Sequence, residues 1–164
     1  MSSEPNIPDG KPTELSVVVP AFNEAPGIAA FLELLFGVLR SCCARFEVWV
    51  VDDGSRDDTW QRLCAERDRY PELRGLRFTR NFGKEAAILA GLRRATGRAV
   101  VVMDGDGQHP PSLVPQMLEA WRAGRAQIIA AQKAARPADG WIERASASAF
   151  NVIMRMLTGL DLSG

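Results

Sequence analysis

The chain has 164 residues, 46% of them apolar, and its 20 basic side chains balance 20 acidic ones. That length supports one domain with its own core, burying about two-thirds of the surface exposed by the unfolded chain. Zero net charge excludes nucleic-acid or anionic-lipid binding by general electrostatics, which needs a basic excess, so a ligand has to be gripped by a local site.

Residues 1–14 form a polar, Pro-rich lead-in without the basic segment and apolar core of a signal peptide. From Leu15, short β-branched runs alternate with segments of helical period. Strands are expected at 15–20, 46–53, 73–79, 98–104 and 127–132, and helices at 28–39, 59–70, 85–95 and 113–123. Ser55 to Asp58 fit a capping box ahead of the second helix, Pro110-Pro111-Ser112 lead into the fourth, and Gly75, Gly97 and Gly124 mark turns. Strands joined by single helices run parallel with right-handed crossovers, and near-continuous apolar strands imply cover on both faces. The expected fold is an open, doubly wound α/β sheet. Residues 141–160 carry apolar side chains at amphipathic-helix spacing, which suits either a membrane surface or a core or oligomer contact. The longest apolar stretch, Ile28 to Leu39, is broken by Glu33 and is shorter than the roughly 18 to 20 residues of a membrane-spanning helix.

Cys42 and Cys43 are adjacent and Cys64 leaves the number odd, so a reducing compartment is expected and no disulfide framework. The sole histidine, His109, is distant in sequence from all three and no C-x-x-C occurs, which argues against zinc. His109 reads more readily as structural than as a ligand, and Trp49, Trp60 and Trp121 as packing residues. Only Lys11, Lys84 and Lys133 among the basic residues are lysines, a bias that reads as genomic composition.

In an open parallel sheet ligands bind outside the carboxyl ends of the strands. Here those ends read Pro20-Ala21-Phe22-Asn23-Glu24, Asp52-Asp53-Gly54-Ser55, Arg80-Asn81-Phe82-Gly83-Lys84 and Asp104-Gly105-Asp106-Gly107-Gln108. Asp104 and Asp106, separated by a glycine, can converge on one hard cation, with Gln108 adding a neutral oxygen. Such donors favour Mg²⁺ or Mn²⁺. The alternative is that the aspartates cap the turn into the next helix. Lys84 likewise either faces a phosphate or lies in solvent. No G-x-G-x-x-G, P-loop or EF-hand spacing is present. VVMDGDG is also similar to the strand end of haloacid-dehalogenase phosphatases, although there the aspartate pair opens the fold.

Taken in order, PAFNE, VDDGSRDDT, RNFGKEAAI and DGDGQHPP resemble the family 2 glycosyltransferases of the GT-A fold, in particular the polyprenyl-phosphate (dolichyl-phosphate) hexosyltransferase branch. The resemblance is firm from Leu15 to Gln132. It implies a GT-A sheet with helices on both faces and a nucleotide-sugar site. Pro20, Phe22 and Glu24 would hold base and ribose, with Phe22 in place of a frequent Tyr. Val51 and Asp53 would contact the base, Asp53 accepting from a ring N–H, while Asp52 and Ser55 would shape that pocket. Asp104, Gly105 and Asp106 would stand at ribose and metal, with Asp106 and Gln108 as direct metal ligands and Asp104 and Asp106 as the catalytic pair. Lys84 would face the donor phosphates, and Lys133 stands near a position where relatives carry a diphosphate-facing Arg.

The reaction implied is inverting transfer of a hexose from a UDP- or GDP-sugar to an acceptor, foremost polyprenyl phosphate, in the cytoplasm or at the cytoplasmic face of a membrane. The resemblance also implies that 15–164 is the front part of a longer catalytic domain. Two other readings remain: a nucleotide-sugar and metal-binding fragment without turnover, and a DxD phosphatase.

Overall fold

The computed structural model describes residues 12–105 and 110–124. The expected strand at 127–132 and helix at 141–160 lie outside them, as do Asp106, Gln108, His109 and Lys133. Four strands, β1 (Leu15–Ala21), β2 (Phe46–Asp52), β3 (Leu73–Arg77) and β4 (Ala99–Val102), alternate with helices α1 (Ile28–Cys42), α2 (Thr59–Glu66), α3 (Lys84–Leu92) and α4 (Val114–Arg122). The sheet is wholly parallel in the order β3-β2-β1-β4. The chain therefore steps outward from β1 through β2 to β3 and then crosses back to β4 on the other side of β1. That reversal opens a crevice between the carboxyl ends of β1 and β4.

Strand alternation explains the layers. Leu15, Val17, Val19, Val48 and Val50 face α1, whose buried residues Ile28, Phe31, Leu32, Leu35, Phe36 and Leu39 recur at three and four. Each large side chain so buried contributes about 1.5–3 kcal/mol. Phe36 stacks on Tyr70 at a centroid distance of 4.1 Å and tilts against Phe46 at 5.7 Å, closing the base of this core. Val18 points to the opposite face, where α3 lies so close that a Cβ on Gly91 would fall 2.4 Å from Val18 Cγ1. Trp60 and Trp121 are half-buried against the core, as their packing role requires. Cys42, Cys43 and Cys64 are all free. Burial pushes the Cys43 thiol up to about 11, which keeps it protonated and inert.

Local signals misled at two places. Gly75 lies inside β3 instead of at a turn, because the Trp60 ring covers it, 3.1 Å from where a Cβ would stand. The capping box before α2 does not form: no side chain caps the helix at Asp58. Instead, Ser55 Oγ accepts from the Asn23 N–H at 2.9 Å, and Thr59 Oγ1 from the Glu24 N–H at 2.8 Å. Asp57 accepts from the Ala25 and Thr59 N–H groups, and the Arg56 N–H donates to Asn23 Oδ1. The loops after β1 and β2 are thus laced together by residues more than 30 positions apart. Asn23 tolerates the left-handed backbone this needs, at φ 56°.

At the amino ends of the strands a second polar cluster locks the α3–β4 turn. Buried Glu47 accepts from Ser16 Oγ at 2.6 Å, from the Thr96 N–H at 2.7 Å and from Thr96 Oγ1 at 3.0 Å, while the Gly97 N–H donates to Ser16 Oγ at 2.8 Å. Replacing Glu47 by Ala strands these donors, and a loss of about 2–4 kcal/mol in unfolding free energy is expected by denaturant titration. A loss under 0.5 kcal/mol would contradict the assignment.

Asp57 sets a pH signature. Partial burial opposes its ionisation, but hydrogen bonds from the Thr59 hydroxyl, the Thr59 N–H and the Ala25 N–H outweigh it and hold the carboxyl below its ordinary value. A depressed carboxyl stabilises the fold above the unfolded value of about 3.9 and loses that contribution as pH falls through the folded value. The melting-temperature deficit of Asp57→Asn should therefore be full at pH 6 and shrink towards pH 3. A deficit that stays constant would refute it.

Candidate functional site

An open cleft of about 380 Å³ lies at the carboxyl edge of the sheet, lined by Pro20, Ala21, Phe22 and Glu24 from the end of β1, Asp53 after β2, Asn81, Gly83 and Lys84 before and at the start of α3, and Asp104 and Gly105 after β4. Parallel register places these segments side by side: Ala21 pairs with Asp52 and Val18 with Val102. Four motifs spread over more than 80 residues of sequence thus meet at one edge, where the doubly wound order leaves its crevice.

Asp53 organises the cleft's centre. It is only 3% exposed; its Oδ1 accepts from the Phe82 N–H at 2.7 Å and its Oδ2 from the Gly83 N–H at 2.9 Å. Both oxygens of the residue expected to read a base are therefore committed to the loop entering α3, with only their remaining lone pairs left for a ligand. The loops approach closely enough that a Cβ on Gly54, at φ 68°, would fall 2.4 Å from the Arg80 carbonyl carbon. Gly83 has φ 98°, a conformation natural only to glycine, and delivers the chain into α3 with Lys84 as its first residue.

Lys84 and Asp104 meet across the cleft. The ammonium lies 2.7 Å from Asp104 Oδ1 and 2.8 Å from Oδ2. Lys84 lines the cleft and pairs with a carboxylate there while its side chain is 54% exposed. Phe22 presents an aromatic side chain 39% exposed, and Phe82, packed edge-on against Phe78 with Arg80 over its ring, is exposed beside the same loop.

The other expected residues stand elsewhere. Val51 is fully buried and does not line the cleft, so its side chain offers nothing to a base. Asp52 is also fully buried: Oδ1 accepts from the Ser55 N–H at 2.9 Å, and Oδ2 pairs with Arg77 Nε at 3.1 Å without hydrogen-bond geometry. Ser55 is spent on Asn23. Asp52 and Ser55 shape the site by bracing its walls. Asn81 lines the cleft and was not singled out from sequence; its place in the Arg80–Lys84 strand end was the available signal.

Asp104 is the described residue suited to a hard divalent cation, because magnesium-type sites commonly use one or two protein carboxylates and complete their shell with phosphate oxygens and water. No cluster of three or more His, Cys, Asp or Glu residues that could hold a metal occurs among the described residues. A single carboxylate is compatible with a cation whose remaining ligands are phosphate oxygens and water. Among the described residues no helix is long and apolar enough to cross a membrane.

Comparison with known proteins agrees with this geometry. The chain is 39% identical over 139 residues to a prophage bactoprenol glucosyl transferase homolog of Escherichia coli K12, covering 84% of this chain and 44% of that protein. It is 37% identical over 137 residues to the bactoprenol glucosyl transferase of Shigella phage SfV, with the same coverage. It thus spans less than half the length of these curated relatives. A mannosyltransferase from Pyrobaculum calidifontis, solved with GDP-Man and Mn²⁺, superposes with TM-score 0.53 at 32% identity, over 60% of this chain and 30% of that one. S. aureus TarS 1-349 superposes with TM-score 0.55 at 26% identity, over 68% of this chain and 33% of that one. The sheet is that of the GT-A glycosyltransferases. Residues 16–160 match the sequence model of glycosyl transferase family 2, and the chain belongs to that family.

Proposed function

We propose that the cleft binds a UDP- or GDP-hexose and that the enzyme transfers the hexose, with inversion, to polyprenyl phosphate with the help of Mg²⁺ or Mn²⁺. The observation that carries this reading is the convergence of Phe22, Asp53, Lys84 and Asp104 on one cleft at the switch point of the sheet. An exposed aromatic at one wall suits a base, and a facing cation and carboxylate suit a diphosphate with its counter-ion. The solved neighbours support a nucleotide sugar as donor: one was crystallised with GDP-Man and Mn²⁺, and TarS 1-349 also with UDP-GlcNAc. The bactoprenol glucosyl transferase relatives support a lipid phosphate as acceptor.

In this reading Pro20 and Phe22 cover the base, Asp53 holds the loop that carries Gly83 and Lys84, and Lys84 faces the diphosphate. Asp104 would hold the cation, together with Asp106 and Gln108 from the adjoining segment, and Lys133 would add positive charge to the diphosphate. A divalent ion so held would offset the charge that builds on the departing diphosphate. A phosphate monoester, with a second pKa of about 6, is largely ionised near neutral pH and attacks without a strong base. The residues of the cleft then need only orient donor and acceptor and exclude water. An amphipathic contact through 141–160 would bring the site to a membrane surface where such an acceptor resides.

The reading is tested by transfer of labelled hexose from UDP-glucose, UDP-GlcNAc and GDP-mannose to polyprenyl phosphate with Mn²⁺, alongside thermal shifts for the same donors. One donor series should raise the melting temperature and support transfer that a chelator abolishes. Asp104→Ala should cut transfer about a hundredfold or more, and Asp106→Ala should abolish metal-dependent nucleotide binding. Donor binding without transfer would leave only the binding role. Release of phosphate from simple phosphomonoesters, with no response to any nucleotide sugar, would overturn the reading in favour of a phosphatase.

A further inference from the structure

The described residues lining the cleft carry three carboxylates, Glu24, Asp53 and Asp104, against one ammonium, Lys84. Asp53 is engaged with the Phe82 and Gly83 N–H groups. The ammonium of Lys84 sits astride both oxygens of Asp104, at 2.7 and 2.8 Å. A divalent cation held by Asp104 would compete for the same two oxygens. The two cations cannot share them, since charges of +1 and +2 at such separations repel strongly even in a watery cleft.

The backbone of Lys84 is fixed, because it follows Gly83, whose N–H is held by Asp53. Its side chain is 54% exposed, so solvent gives it room to take another direction from that anchor. An ion pair this open to solvent adds little to fold stability, so exchanging it for another arrangement costs little. A nucleoside diphosphate would meet an acidic cleft in which the one ammonium among the described lining residues is already committed.

We propose that Lys84 is a resident counter-ion that a divalent cation replaces. Without ligand its ammonium occupies the cation's place on Asp104. When a nucleoside diphosphate and a divalent cation arrive together, the cation takes Asp104 and the ammonium moves to a diphosphate oxygen. The same lysine then compensates charge in both states. This inference rests on the nucleotide-sugar reading above. It predicts that metal alone binds weakly, and that metal and nucleotide strengthen each other's binding by a common factor.

The test measures Mn²⁺ binding to the full chain by electron paramagnetic resonance of the free ion, without nucleotide and then with UDP or GDP, for wild type, Lys84→Met and Lys84→Arg. Lys84→Met should bind Mn²⁺ alone about tenfold more tightly and metal-free nucleotide about tenfold more weakly, with a smaller coupling factor. Lys84→Arg should restore the wild-type pattern in direction. Lys84→Gln, which keeps a polar side chain, serves as the second neutral variant should Lys84→Met fold poorly, and its Mn²⁺ affinity should rise likewise. Nucleotide binding by wild type combined with a neutral-variant Mn²⁺ affinity equal to or below wild type would overturn the exchange alone. Failure of wild type to bind UDP or GDP, with or without Mn²⁺, would overturn the donor reading itself.

Discussion

The cleft depends on one carboxylate. Asp53, at the end of a buried strand, receives two backbone N–H groups from the loop entering α3, one on each oxygen. Charge-assisted hydrogen bonds of this kind are about twice as strong as neutral ones, and no neutral isostere can accept both in the same geometry. The contact draws the β3–α3 loop against the β2–α2 loop so tightly that only glycine fits at position 54. It also sets where Gly83 turns and hence where the first residue of α3 projects. Without it the two N–H groups would be stranded and Lys84 would have no fixed origin.

The two ends of the sheet divide the polar work. At the amino ends Glu47, Ser16, Thr96 and Gly97 are bonded to one another, and Glu47 is buried. At the carboxyl ends the hydroxyls of Ser55 and Thr59 and the carboxylate of Asp57 hold backbone groups of the loop after β1, and the Asp52 carboxylate holds the Ser55 N–H of its own loop. Glu24, Lys84 and Asp104 line the cleft beside Asp53. Much of the acidic, hydroxyl-rich stretch from Asp52 to Thr59 therefore braces the loops around the cleft. A chain with no net charge thus carries a locally acidic cleft, with Glu24, Asp53 and Asp104 against Lys84.

The order of strands and helices was legible because alternation of apolar runs reports a local quantity, the burial of one face or both. So was the gathering of the four motifs at one edge, which follows from parallel topology alone. What the sequence concealed was long-range hydrogen bonding. Ser55 opens a segment with the spacing of a capping box, yet the N–H of Asn23, over 30 residues away, claims its oxygen, and the N–H of Glu24 claims that of Thr59. Gly75 has the residue type of a turn, but it lies inside a strand, where the Trp60 ring packs closely over it. Val51, expected from the resemblance to meet a base, is fully buried at the end of β2. α3 shows little amphipathic contrast, because Ala87 and Gly91 achieve its packing by closeness instead of bulk.

The edge built by these loops is proposed to hold a nucleoside diphosphate. At 17.9 kDa the chain suits a nitrogen-15 amide titration with UDP or GDP in the presence of Mg²⁺. Saturable shifts are expected at Ala21 to Glu24, Asp53, Asn81 to Lys84 and Gly105, with Ser16, Glu47, Thr96 and Gly97 at the opposite edge unmoved. Shifts concentrated away from the cleft, or none with either nucleotide, would contradict it.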